Sequence, residues 1–272
     1  MTSNDCQNPG FQLFSSAPVK ALGQQESSAS AFDVPYVFSA DGSKSLYFTL
    51  DQLQSRMNSA HPTQLDVDYT RTMMGFLMFG GCPVNIAMIG LGGGSLLKFC
   101  YRHLPHSRLT VVEINPHVIA LRQEFEVPED EQRVTIVCAD GADFVRDSVG
   151  KYDVLLVDGF DRQGQAPSLC TQRFYDDSFK ALSAQGIMVA NLHHDHCDHA
   201  LFTARIGVSF GNNVMEIASQ EKSNSVLFAR KGPRISIDEL RQRNPLQNFD
   251  QEARAQLKRE FSRISWAMTE PA

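Results

Sequence analysis

Four carboxylates stand at or just beyond the ends of short apolar runs. Glu113 closes Leu109-Thr110-Val111-Val112, Asp140 follows Val134 to Cys138, and Asp158 and Asp161 follow Val154-Leu155-Leu156-Val157. An acid so placed can grip hydroxyl groups, cap a turn, or draw in a cation and take a proton from it. An aliphatic amine suits the last role. Like a lysine side chain, with pKa near 10.4, it is protonated near neutral pH and has no lone pair until that proton leaves.

The segment that must position these acids runs from Asn85 to Glu113. Asn85-Ile86-Ala87-Met88-Ile89 reads as a buried strand, and Gly90-Leu91-Gly92-Gly93-Gly94-Ser95 as a turn that needs close backbone approach. Leu96, Leu97, Cys100 and Leu104 follow helical spacing up to Pro105, and Arg108 to Glu113 is a second strand. Glu113 lies 21 residues beyond Gly92, the spacing that sets a carboxylate against ribose hydroxyls. The unit therefore reads as a nucleoside site. Ser95 replaces the third glycine of the dinucleotide fingerprint, and S-adenosylmethionine folds use the same geometry to pass a loop beneath a sulfonium.

The 272-residue chain is long enough for a full α/β core and a small accessory region. A net charge of -6 argues against a nucleic-acid surface and suits a cationic small substrate. No apolar run reaches membrane-spanning length. Six cysteines without a C-x-x-C pair, and the lack of a leader pattern, lead to the expectation of reduced thiols in a cytoplasmic protein. Residues 1–32 read as a loose tail and 33–80 as a β-hairpin across Asp41-Gly42 followed by a Met-rich helix from Tyr69 to Phe79. Residues 81–232 read as the nucleoside-binding domain and 233–272 as peripheral helices. Strands at 134–138, 152–157, 186–192, 214–217 and 225–229 alternate with helices, which predicts an α/β, mainly parallel, Rossmann-like sheet with helices on both faces. Ligands then bind beyond the carboxyl ends of the strands.

The run Tyr152-Asp153-Val154-Leu155-Leu156-Val157-Asp158-Gly159-Phe160-Asp161 resembles the spermidine synthase family of polyamine aminopropyltransferases. So do Gly164, Pro167, Phe174-Tyr175, Gly186-Ile187, and, nearer the start, Leu50-Asp51, Gln54 and Tyr69. The resemblance implies a class I S-adenosylmethionine-dependent transferase fold and aminopropyl transfer from decarboxylated S-adenosylmethionine to a small amine. Glu113 would hold the ribose, Asp140 with Gly141 the adenine, and Gly90, Gly92, Gly93 and Gly94 would pass beneath the sulfonium. Asp158 would be the base, helped by Tyr69, while Asp161 and Gln54 would bind the amine. Relatives imply a homodimer, and neither nucleic acid, membrane nor metal is expected as a partner.

Three positions depart from that pattern. Gly93 stands where the family carries an aspartate, Arg71 where it carries an acid, and Arg162 where a proline is usual. Arg71 could pair with the carboxylate of intact S-adenosylmethionine, which keeps a methyltransferase on the same fold, or a non-catalytic nucleoside-binding relative, as alternatives. The run His193-His194-Asp195-His196-Cys197-Asp198-His199 could ligate a metal. Neighbours on one segment seldom close a shell alone, however, so it reads as a polar rim loop with Asp195 or Asp198 as helix cap.

Overall fold

The computed structural model describes residues 32–49, 52–162, 164–221, 223–232, 234, 245–247 and 249–267. The expected tail, Asp51 and the expected helix over Ser236–Arg243 lie outside these residues, Phe32 apart.

Asp41 and Gly42 both adopt positive φ, the geometry a two-residue hairpin turn demands, and they join Tyr36–Ala40 (β1) to Ser43–Thr49 (β2). A third antiparallel strand, Gln52–Asn58 (β3), extends the expected two-stranded hairpin to a three-stranded sheet. Its inward positions include Ser55 beside Met57, so alternation of apolar residues is too weak to announce it. Leu46 pairs with Ser55 and Tyr47 with Leu53, which leaves Gln54 as the extra residue of a bulge. Asp68–Met73 (α1) continues as a 3-10 turn over Met74–Met78 rather than as one α-helix to Phe79.

The main sheet uses Asn85–Ile89 (β4), Arg108–Glu113 (β5), Val134–Cys138 (β6), Tyr152–Val157 (β7), Leu182–His193 (β10), Val214–Ala218 (β11) and Asn224–Arg230 (β12). Phe160–Asp161 (β8) and Gly164–Gln165 (β9) form a two-stranded ribbon in what read as a plain loop. Helices Ser95–His103 (α2), Pro116–Ala120 (α3), Gly141–Arg146 (α4), Gln172–Ala181 (α5) and His199–Ser209 (α6) connect the strands. The strand order is β11-β12-β10-β7-β4-β5-β6. Neighbours from β10 through β7, β4 and β5 to β6 are parallel, and β12 is antiparallel to both β10 and β11. The chain winds outward from β4 to β6, then returns to place β7 on the other side of β4. That reversal opens a crevice at the carboxyl ends of β4 and β7, where Gly90 and Asp158 begin their loops.

Gln251–Ala267 (α7) is not peripheral. Its Ala253, Leu257, Phe261 and Ile264 are buried in the same core cluster as Met73 and Phe228. Charged residues fill the other face, which hid the stripe within a polar composition. Buried Glu260 accepts from Thr72 Oγ1 of α1 (2.6 Å) and Gln220 Nε2 (3.1 Å) and pairs with Arg263. Among the described residues, no helix is long and apolar enough to cross a membrane.

Candidate active site

Backbone contact decides the shape of the crevice. The Asp158 N–H donates to Ile89 O (2.8 Å), and Gly90 N–H donates to Val112 O (2.8 Å), so the loops leaving β4 and β7 are tied to their neighbouring strands. A Cβ on Gly90 would lie 2.2 Å from the Asp158 carbonyl oxygen, and its φ is +99°. Only glycine lets the two loops meet here.

Glu113 comes to the same rim from β5. One carboxylate oxygen accepts from the Leu91 N–H (2.9 Å) and the other from the Asn115 N–H (2.9 Å). Burial raises its pKa, and backbone donors at Leu91, Asn115, Ile114 and Gly92 work against that rise. The residue chosen for ribose thus also fastens the glycine loop, with lone pairs left for hydroxyls. Asp140 is the N-cap of α4 and accepts from Ala142 N–H (2.6 Å). Gly141 packs on Ile89, where a Cβ would come within 2.4 Å of Ile89 Cγ2.

Asp158 is half-buried beside Gly90. Its Oδ2 accepts from the Tyr69 hydroxyl (3.1 Å) and its Oδ1 from Asn191 Nδ2 (2.8 Å). Burial raises its pKa, while the Asn191 and Tyr69 donors pull it down. The Tyr69 phenol is pushed well above its usual value, first by burial and then by the Asp158 charge, so it remains a donor. Asp161 lies three residues on, in the β8–β9 ribbon, half-buried. Gln54 lies beside Ser55, and Ser55 comes within van der Waals reach of a Cβ placed on Gly92. The bulge thus brings β3 over the glycine loop.

Asn191 was not singled out in the sequence, although it is 1% exposed in an otherwise apolar strand. Its Oδ1 accepts from Asn224 Nδ2 (3.0 Å) and its carbonyl from Gln165 Nε2 (3.0 Å). A lone amide inside the Ile187–Leu192 run was the available signal, because a buried polar group needs partners. Arg71 Nη1 donates to Leu65 O (2.6 Å) and Asp66 O (3.1 Å), which commits it to the segment ahead of α1. Arg162 faces Asp33 at 3.6 Å.

The histidine run lines this edge. His193 meets Phe160 edge-on, with ring centroids 5.1 Å apart, and its N–H donates to Gln165 Oε1 (3.2 Å). Neither expected aspartate caps α6 through its side chain. Asp198 holds the cap position with φ -96° and ψ 13°, outside the extended conformation that aims a cap side chain at the next amides, and its N–H donates to His196 Nδ1 (3.0 Å).

The sequence pattern of the spermine/spermidine synthase domain matches residues 67–217. The chain belongs to the spermine/spermidine synthase family. A polyamine aminopropyltransferase of Neisseria meningitidis serogroup A is 37% identical over 204 residues, covering 74% of this chain and 78% of that protein. The spermidine synthase structure from Thermotoga maritima superposes with a TM-score of 0.55 at 21% identity, over 84% of this chain and 87% of the other. Human methyltransferase-like protein 13 in complex with SAH superposes with a TM-score of 0.58 at 21% identity, over 76% and 94%. The fold is therefore the class I, Rossmann-like one common to synthases and methyltransferases, and membership in the family makes this synthase-like chain a transferase.

Proposed function

We propose that this synthase-like protein transfers an aminopropyl group from decarboxylated S-adenosylmethionine to a small aliphatic amine. The observation that carries the reading is Asp158, a carboxylate packed against Gly90 of the loop and fixed from two sides by Tyr69 and Asn191. In the reaction the amine nitrogen forms a bond to the methylene carbon next to sulfur. The carbon–sulfur bond breaks, its electron pair leaves with methylthioadenosine as a neutral thioether, and the proton lost from nitrogen goes to Asp158. No oxyanion forms, so none needs stabilising. Glu113 holds the ribose, Asp140 the adenine, and Asp161 with Gln54 the ammonium end of the acceptor. Proximity and a charge-matched base supply the rate, the base term being about 10²–10⁴-fold.

The acceptor site belongs to a homodimer in the cytoplasm in this reading. Support comes from the family resemblance and from the free thiols of Cys82, Cys100, Cys138, Cys170 and Cys197. Light scattering checks the first and fractionation the second.

Incubation with decarboxylated and with intact S-adenosylmethionine, each with a panel of diamines, tests the function. Methylthioadenosine from the decarboxylated nucleoside is expected, and S-adenosylhomocysteine as the sole product overturns the reading in favour of methyl transfer. Asp158→Asn should lose turnover while still binding the nucleoside by calorimetry.

A further inference from the structure

The donor that the histidine run lacked in sequence is supplied by a strand far along the chain. His194 lies in the loop after β10, His199 opens α6, and Glu216 sits on β11. One donor atom from each lies within 4.8 Å of the other two. His199 Nε2 is already 3.1 Å from Glu216 Oε1. That separation is close to the edge of a tetrahedron around an ion with bonds of about 2.0–2.1 Å, which is roughly 3.3 Å. The His194 and His199 rings have centroids 5.7 Å apart and are inclined at 63°, so the two imidazoles converge without stacking.

We propose that His194, His199 and Glu216 form a binding site for a zinc-class divalent transition metal at the rim of the main sheet. Two imidazoles and one carboxylate suit a borderline ion, and a harder ion such as Mg²⁺ or Ca²⁺ would call for oxygen donors. Water completes the shell, since His194 and Glu216 are both exposed. Without metal, His199 Nε2 faces both Glu216 Oε1 and Ser225 Oγ (2.8 Å). The ion takes the place of any hydrogen on His199 Nε2, and the neutral imidazole supplies its lone pair there as the Nδ1–H tautomer.

The second group, His196, Cys197 and Asp198, is a different case. Its donors come from three consecutive residues, and His196 Nδ1 already accepts from the Asp198 N–H. Three elements converge in the first group and one turn supplies the second. An ion at the first would pin the loop that begins next to His193, the end of β10, which packs on Phe160, one residue before Asp161. On the functional reading above, its effect on catalysis would therefore fall on the acceptor amine rather than on the nucleoside.

The test is calorimetric titration of untagged, chelator-treated full chain with Zn²⁺, together with visible spectra of the Co²⁺ form. One ion per chain is expected, with ligand-field bands in the Co²⁺ spectrum. His194→Ala and Glu216→Gln, both at accessible positions, should each weaken binding by more than the roughly 10–100-fold that loss of an outer partner causes. The double variant His196→Ala/Cys197→Ser should bind as the parent does. Circular dichroism and melting of each variant separate loss of a ligand from loss of fold. No binding by the parent, or binding that survives both His194→Ala and Glu216→Gln, overturns the proposal. So does binding lost only in His196→Ala/Cys197→Ser. None of these readouts depends on transferase activity, so failure here leaves the functional reading standing.

Discussion

The Tyr69 hydroxyl donates to Asp158 Oδ2 across 3.1 Å, although 89 residues separate the two in the chain. The bond lowers the pKa of a carboxylate that burial has raised, and the Asn191 amide does the same from the other oxygen. A base must be ionised to accept a proton, so on the proposed reading both donors extend the range of pH over which Asp158 can act.

Tyr69→Phe removes one of those donors. The acidic limb of the kcat/KM profile should move to higher pH, because the carboxylate then holds its proton longer. At neutral pH the loss is expected to be about tenfold, corresponding to one net hydrogen bond of about 1.4 kcal/mol. An unmoved acidic limb assigns that limb to another group.

Asn191→Leu keeps the volume and removes the second donor. The same limb should shift upward, kcat should fall, and nucleoside affinity should stay within a factor of about two, since Asn191 contacts Asp158 rather than Glu113 or the loop. Asn191→Asp should be worse still, because a second buried carboxylate opposes ionisation of the first.

Gly93→Asp restores the acid that the family resemblance leads one to expect. A Cβ there would come within 2.7 Å of Ser55 Oγ and 2.9 Å of Phe125 Cδ1. Overpacking should cost about 1–3 kcal/mol in denaturant unfolding. Ser55→Gly in the same chain should recover part of it by removing the hydroxyl. Full stability of the single variant would mean that the loop has room to move.

Lys98 of α2 is 2% exposed, with Nζ donating to Phe125 O (2.7 Å) and Met57 Sδ (2.9 Å). Burial lowers its pKa from 10.5 to about 8, with the Glu126 charge opposing. Between those values the unfolded chain holds a proton that the folded chain has released, so this contribution to stability rises with pH across the window. Relative to Lys98→Met, the parent should gain up to about 3 kcal/mol between pH 8 and 10.5. Urea unfolding at both ends of the window measures it, and a constant difference would show that Lys98 titrates normally.

The central strands β4, β5 and β7 were legible because each is a short, mostly buried apolar run closed by glycine or an acid. The switch from β6 back to β7 then put Gly90, Glu113 and Asp158 at one rim, as topology requires. What escaped notice lacked a local pattern. β3 turns Ser55 inward, α7 carries its apolar stripe under a charged surface, and Asn191, marked only as a lone amide in an apolar run, shows its partner once its strand is seen beside Asp158. Glu216 is silent for the same reason, since nothing near it in the chain resembles His194 or His199.

Glu260 has a consequence for how the molecule is made. Three donors outweigh its desolvation and hold its pKa below the usual carboxylate range, and one of them, Thr72, sits on the helix that presents Tyr69. A nascent chain emerging from the ribosome has long since completed the glycine loop when this anchor is still unsynthesised. The glycine loop can therefore be finished well before the Tyr69 phenol is locked against Asp158, and on the proposed reading competence should arrive late, as this long helix docks.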